Sequence, residues 1–263
     1  MTVAAGALVC DLDGVVWLAD APIAGSAAAV DRWRSAGGRA LFVTNNSYAP
    51  IAEVEAKLAR FGIPAEGDVL GSAEAAATLV RPGERVLLCG GPGARQVLER
   101  ARVVLVPAEE VDRGAPVDVV VVGFHRSFDY EVMRVASGAV RAGARFIATN
   151  DDATYPTPTG PIPGCGSIVA GIAQAAGRVP QIAGKPYAPM AALVRAVLGA
   201  AVADAVVVGD RADTDGRLAL AIGARFALVL SGVTTASDGS VEPAPDVVAA
   251  DLAGVVDRLL TTG

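Results

Sequence analysis

Cysteine, histidine, lysine and net positive charge are all scarce in this 263-residue chain, and each scarcity narrows its chemistry. Cys10, Cys89 and Cys165 are odd in number and far apart, which argues against a disulfide framework and fits a reducing cytoplasm. The single histidine, His125, has no clustered ligands around it and reads as structural. A formal charge of −6 and a pI near 4.9 leave no broad basic surface, so nucleic acid is not an expected partner. Apolar residues make up 52% of the chain, yet charges interrupt them and no run reaches transmembrane length. The opening stretch, Met1 to Val9, lacks a basic segment and leads straight into Asp11, so neither a signal peptide nor a membrane partner is expected. The length suffices for one large domain or two modest ones.

The two lysines stand out against this background, because every other one of the 22 basic residues is arginine. Lys57 falls in a helical pattern from Ile51 to Arg60 with Glu53 four residues before it, and a surface ion pair is expected. Lys185 lies between Gly184 and Pro186, neighbours that suit a helix interior poorly. In a chain that otherwise uses arginine, a lysine there points to a need for its compact ammonium.

What the chain has in quantity is short apolar runs that end in polar clusters. Ala7-Leu8-Val9-Cys10 leads into Asp11-Leu12-Asp13-Gly14, the pattern of a strand buried on both faces with carboxylates at its C-terminal end. Open α/β sheets bind their ligands at that end. Side chains at i and i+2 of a strand share a face, so Asp11 and Asp13 are expected to reach one substrate. Two carboxylates held that close favour a hard divalent cation such as Mg²⁺. A calcium loop is discarded, since Val15, Val16, Trp17 and Leu18 follow where further oxygen ligands would be needed.

The plan repeats along the chain. Ser26 is expected to cap a helix within Gly25 to Gly37, and a strand from Arg39 to Val43 ends in Thr44-Asn45-Asn46-Ser47 before a helix from Pro50 to Phe61. Val69 to Gly71 and a helix from Ser72 to Val80 follow, then the punctuation Arg81-Pro82-Gly83-Glu84. The rhythm restarts with strands at Arg85–Cys89, Val117–Val122 and Arg145–Ala148 and helices at Ala94–Arg102, Tyr130–Arg141 and Ser167–Ala176. A long loop from Asn150 to Gly166 is a candidate functional loop. Helices at Pro189–Leu198, Thr214–Ile222 and Leu252–Leu260 alternate with strands at Ala205–Val208 and Phe226–Leu230. Such alternation predicts an α/β fold with a parallel sheet. The Val206-Val207-Val208-Gly209 run again ends in acids, Asp210, Asp213 and Asp215.

Asp11-Leu12-Asp13-Gly14-Val15, Thr44-Asn45-Asn46, Gly184-Lys185-Pro186 and Gly209-Asp210 with Asp215 resemble, in order, the four motifs of the haloacid dehalogenase superfamily. The match is closest to its NagD-like and 4-nitrophenylphosphatase-like branch. That resemblance implies a Rossmann-like core of residues 1–78 and 183–263 with an inserted C2-type α/β cap at 79–182. It implies a Mg²⁺-dependent phosphatase acting on a small phosphorylated metabolite. Asp11 would be the nucleophile and Asp13 the general acid and base. Asp11, the Asp13 carbonyl and Asp210 would hold the metal, with Asp215 shaping the site from behind. Thr44, the Asn45 amide and Lys185 would stabilise the phosphoryl oxygens, Asn46, Asp151 and Tyr155 would join Thr44 and Asn45 as substrate contacts, and a specificity loop after the cap's last strand would place Asn150, Asp151, Asp152 and Tyr155 near the leaving group. Branch members with caps commonly associate through them, which implies a homodimer.

Three other readings compete. Cys89 and Arg95 have the Cys-x5-Arg spacing of cysteine-dependent phosphatases, a spacing common enough by chance, and the glycines between them more simply form a turn. A phospho-acceptor receiver module also groups aspartates, a threonine and a lysine around Mg²⁺, but the Asp-x-Asp order and the insert of roughly a hundred residues argue against it. A phosphotransferase or phosphomutase of the same fold would differ in where the phosphate goes.

Overall fold

The computed structural model describes residues 6–155, 157 and 159–261. The first five residues of the opening stretch, and Pro156 and Pro158 of the long loop, lie outside the described residues. The chain forms two compact units. One comprises Met1–Thr44, Ala52–Leu70 and Lys185–Gly263, the other Asn45–Ile51 and Gly71–Gly184.

The first unit is built on a six-stranded sheet whose order is Val247–Ala249, Arg225–Val229, Val206–Gly209, Ala7–Cys10, Arg39–Thr44, Val69–Gly71. Ala7–Cys10 is fully buried and pairs in parallel with strands on both sides, Cys10 opposite Val208 on one and Phe42 on the other. Burial on both faces is why this strand and Val206–Val208 are continuous apolar runs without alternation. Helix Ser26–Ser35 turns Ala29, Val30 and Trp33 inward and packs on the last helix, Leu252–Thr261. Ser26 is not its cap. Gly25 holds that position at φ 84°, and the Ser26 hydroxyl donates instead to the Val15 carbonyl.

The second unit has its own five-stranded parallel sheet, in the order Gln181–Ile182, Arg145–Ala148, Val119–Val122, Arg85–Cys89, Val104–Leu105. Helices Tyr130–Arg141 and Cys165–Ala176 pack together over it, with Val120, Val122, Ala136, Val140, Ile168 and Ile172 in the core. The α/β class expected from the alternation is borne out. The strands that escape the sequence pattern are two or three residues long, too short to show any period: Trp17–Leu18 with Ala21–Pro22, Val104–Leu105, Thr154–Tyr155 with Ile162–Pro163, Gln181–Ile182, and Val247–Ala249. Among the described residues, no helix is long and apolar enough to cross a membrane.

Lys57 also departs from expectation. Its ammonium donates to the Ala19 carbonyl at 2.5 Å, lies 3.3 Å from Asp20 and sits 4.4 Å from the centre of the Trp17 ring. The apolar stem and cation cover that ring, a more favourable place than an exposed pairing with Glu53.

Candidate active site

Three strand ends of the first unit carry its charged and polar cluster. Ala7–Cys10 delivers Asp11, Val206–Gly209 delivers Asp210, and Arg39–Thr44 ends at Thr44, which is buried. Because the strands run in parallel and in register, all three side chains come to the same sheet edge. Asp215 joins them from a wide helical turn, Ala212–Gly216, that precedes the regular helix Arg217–Ile222. The sequence pattern merges the two into one helix from Thr214, but the extra residue per turn swings the Asp215 carboxylate inward.

Lys185 ties the acids together. Its Nζ lies 2.7 Å from Asp11 Oδ1 and 2.8 Å from Asp215 Oδ1, and all but 3% of its side chain is buried. Carboxylate oxygens of Asp11, Asp210 and Asp215 approach within 4.8 Å of one another. Burial pushes Asp11 above the usual carboxylate range, with Lys185 pulling back and Asp13 adding to the rise. Burial, then the charges of Asp11 and Asp215, raise Asp210 to about 8. Asp215 is raised to about 6, again mainly by burial, with Lys185 opposing. Burial alone would lower Lys185, but the fields and hydrogen bonds of Asp11 and Asp215 outweigh it and the ammonium stays charged. Three acids against one cation leave a surplus of negative charge on hard oxygens, a donor set that fits a divalent cation. Asp213 does not join them: its carboxylate pairs with Arg211 at 2.8 Å, which holds it below its usual range.

A tight frame surrounds Asp210. Its Oδ2 accepts the Val233 N–H at 2.6 Å, and the Ser231 hydroxyl donates to the Gly14 carbonyl. A Cβ at Gly14 or Gly232 would overlap the Asp210 carboxylate, and Gly14 adopts φ 83°, so both glycines are required by close approach. Ser231 and Gly232 were not among the expected residues. Their signal was available in the Phe226–Leu230 run, which ends in a polar pair as the other apolar runs do.

The geometry corrects one step of the sequence argument. The strand stops at Cys10, so Asp11 and Asp13 lie in the turn that follows and do not share a strand face. In that turn the Leu12 carbonyl receives the N–H groups of Val15, Val16 and Trp17, and the Trp17 indole N–H donates to Asp13 Oδ1 at 3.0 Å.

A family model described as haloacid dehalogenase-like hydrolase matches residues 8–103, and a HAD-hydrolase-like model matches residues 182–255. A D-glycerol 3-phosphate phosphatase of Mycobacterium tuberculosis is 40% identical over 236 residues, covering 88% of this chain. The chain spans only 64% of that longer protein. An acid sugar phosphatase of Staphylococcus haemolyticus is 34% identical over 86% of this chain and 85% of its own length. The chain belongs to the haloacid dehalogenase-like hydrolases. Its likeness to solved structures supports the NagD-like and 4-nitrophenylphosphatase branch. A 4-nitrophenylphosphatase of Thermotoga maritima matches at a TM-score of 0.88 and 31% identity, over 97% of this chain and 98% of the other. A glycerol phosphate phosphatase of M. tuberculosis in complex with magnesium matches at 0.84 and 36% identity, over 98% and 76%.

The remaining expected residues of this hydrolase lie in the second unit. Asn45 donates its side-chain N–H to Asp152 Oδ2 at 3.0 Å, and the Asn46 carboxamide accepts the Tyr48 N–H at 2.9 Å. Asp151 is exposed. The Tyr155 ring stacks on Phe124 with centroids 5.5 Å apart, and Phe124 meets the edge of Tyr48. His125 is half-buried, accepts the Ser127 N–H, and is kept below the usual histidine range by burial.

The Cys89 loop of the hydrolase is filled by its own chain. Gly93 and Ala94 donate their N–H groups to the carbonyls of Tyr48 and Ser47, and a Cβ at Gly91 or Gly93 would strike the Tyr48 ring or the Ala49 carbonyl. The Gly93 and Ala94 amides are thus taken from any phosphate, and burial pushes the Cys89 thiol up to about 12, the wrong direction for a nucleophile.

Proposed function

We propose that this hydrolase is a phosphatase that cleaves the phosphomonoester of a small metabolite through an aspartyl phosphate on Asp11. The observation that carries this reading is the buried Lys185 ammonium shared by Asp11 and Asp215, beside Asp210 at the same sheet edge. The magnesium complex of the mycobacterial phosphatase supports Mg²⁺ as the ion, held by Asp11, Asp210 and the Asp13 carbonyl. When bound, it would screen the repulsion between the Asp11 carboxylate and the phosphate.

A carboxylate oxygen of Asp11 forms the new bond to phosphorus as the bond to the leaving oxygen breaks. Asp13, oriented by the Trp17 indole, protonates that oxygen. It then takes a proton from the water whose oxygen attacks the same phosphorus, which frees Asp11 and releases inorganic phosphate. Thr44 and Lys185 stabilise the charge on the phosphoryl oxygens. Asn45, Asn46, Asp151 and Tyr155 keep the substrate-binding role that the family resemblance implies. The relatives named for D-glycerol 3-phosphate and for acid sugars support a small polyol or sugar phosphate as substrate. A core of 1–78 and 183–263 with a cap at 79–182, a homodimer through that cap, and a cytoplasmic setting suited to three free cysteines complete the reading.

Release of phosphate from 4-nitrophenyl phosphate tests it, with wild type, Asp11→Asn and Cys89→Ser each assayed in Mg²⁺ and in EDTA. Multiple turnovers that need Mg²⁺, vanish in Asp11→Asn and survive Cys89→Ser are expected. Activity that ignores EDTA and dies with Cys89→Ser would overturn the mechanism, and a single stoichiometric phosphorylation of Asp11 would mark a receiver.

A further inference from the structure

Thr44 and Lys185 are each one residue from a point where the chain passes into the second unit, and both of those next residues are gripped by the same four-residue stretch. Asn45, which follows Thr44, offers its carbonyl to the side-chain N–H of Asn150 at 2.7 Å and to the Ser72 hydroxyl at 2.7 Å. Its own side-chain N–H goes to Asp152 Oδ2. Gly184, which precedes Lys185, donates its N–H to the Thr149 carbonyl at 2.7 Å. A Cβ on Gly184 would strike both Asn45 Oδ1 and the Thr149 carbonyl, so the two segments are packed on each other as well as on the stretch. Asn150 completes the grip by accepting the Asp152 N–H at 3.1 Å. Thr149 and Ser72 are fully buried, Asn150 is 3% exposed and Asn45 9%. A buried polar network made of this many oriented bonds fixes its members closely.

We propose that Asn150 and Asp152 are positioning residues, which hold Asn45 beside Thr44 and, through the packing of Asn45 on Gly184, the main chain beside Lys185, and so set where the hydroxyl and the ammonium stand in the reaction. This rests on the proposed phosphatase reading. It assigns Asp152 a task inside the protein, where it carries Asn45, and separates it from its exposed neighbour Asp151. The chemistry of the two side chains makes the inference specific. Asn150 must be a donor, because it faces a carbonyl, whereas Asp152 needs only to be an acceptor, because it faces an amide.

The isosteric pair Asn150→Asp and Asp152→Asn therefore separates this role from bulk structural support, with Asp152→Ala as the deletion. Folding is checked by thermal melts, and kcat, KM for 4-nitrophenyl phosphate and the half-saturating Mg²⁺ are measured for each. Misplacing a catalytic group by an ångström costs on the order of 10²-fold in rate. Asn150→Asp and Asp152→Ala should lose at least about tenfold in kcat on that basis, with KM and the Mg²⁺ requirement within about threefold of wild type. Asp152→Asn, which keeps an oxygen toward Asn45, should retain kcat within about threefold. Wild-type kcat in Asn150→Asp or Asp152→Ala would overturn the proposal, as would an Asp152→Asn variant no better than Asp152→Ala. Failure of the phosphatase reading is distinguishable, since wild type would then lack Mg²⁺-dependent turnover or Asp11→Asn would keep it.

Discussion

The ammonium of Lys185 lies midway between Asp11 and Asp215, 2.7 Å from one carboxylate and 2.8 Å from the other. Removing it leaves three neighbouring acids without their cation. Lys185→Met should therefore destabilise the metal-free protein by about 3 kcal/mol, the scale of breaking a buried ion pair. Adding Asp215→Asn to that variant should restore part of the loss. Urea unfolding in EDTA measures both, and a Lys185→Met curve that coincides with wild type would refute the account.

The raised carboxyl groups set a pH dependence. In the folded, metal-free protein Asp210 titrates near 8 and Asp215 near 6, against 3.8 for an ordinary aspartate. Above 3.8 the unfolded chain has released protons that the folded chain still holds, so stability falls as pH rises from about 4 to about 8. A divalent cation favours the ionised form and opposes this fall. The gain in melting temperature on adding Mg²⁺ should be larger at pH 8 than at pH 5, and an equal or opposite trend would contradict the burial argument.

Cys10 and Cys89 are pushed up to about 12 and Cys165 to about 11, all mainly by burial. At pH 8 the native protein should resist a thiol-reactive disulfide reagent, while the urea-unfolded chain reacts at all three sites. Fast modification of Cys89 in the native protein would reopen the thiol mechanism.

Gly14 combines a left-handed backbone with direct approach to Asp210. Gly14→Ala should cost about 1 kcal/mol or more in stability from the backbone alone. It should also raise the Mg²⁺ concentration needed for half-maximal turnover by displacing the Asp210 carboxylate. Titration of activity with Mg²⁺ distinguishes this from a purely thermal effect.

The parts of the fold that could be read from sequence were those with a strong physical signature. Ala7–Cys10 and Val206–Val208 are buried on both faces, so their apolar runs and the acids after them were visible. Tyr130–Arg141 follows Asp129, whose carboxylate accepts the Val132 N–H, and its bounds were readable to the residue. Tertiary contacts hid the rest. Ser26 has a capping side chain, but a buried carbonyl claims it. The pairing of Lys57 depends on Trp17, forty residues earlier in the chain. The inward swing of Asp215 comes from a widened turn that leaves no periodic trace. The network around Asn45 joins positions 72, 150, 152 and 184, and no local pattern relates them.

Strand Ala7–Cys10 has a further consequence for synthesis of the chain. One of its neighbours, Arg39–Thr44, leaves the ribosome soon after it, but the other, Val206–Gly209, is made almost two hundred residues later. All five strands of the second sheet lie between them, within 85–182. That sheet can close its hydrogen bonds while the first still presents a bare apolar edge along Ala7–Cys10. Chaperone cover is thus needed along Ala7–Cys10 until Val206–Gly209 emerges to pair with it.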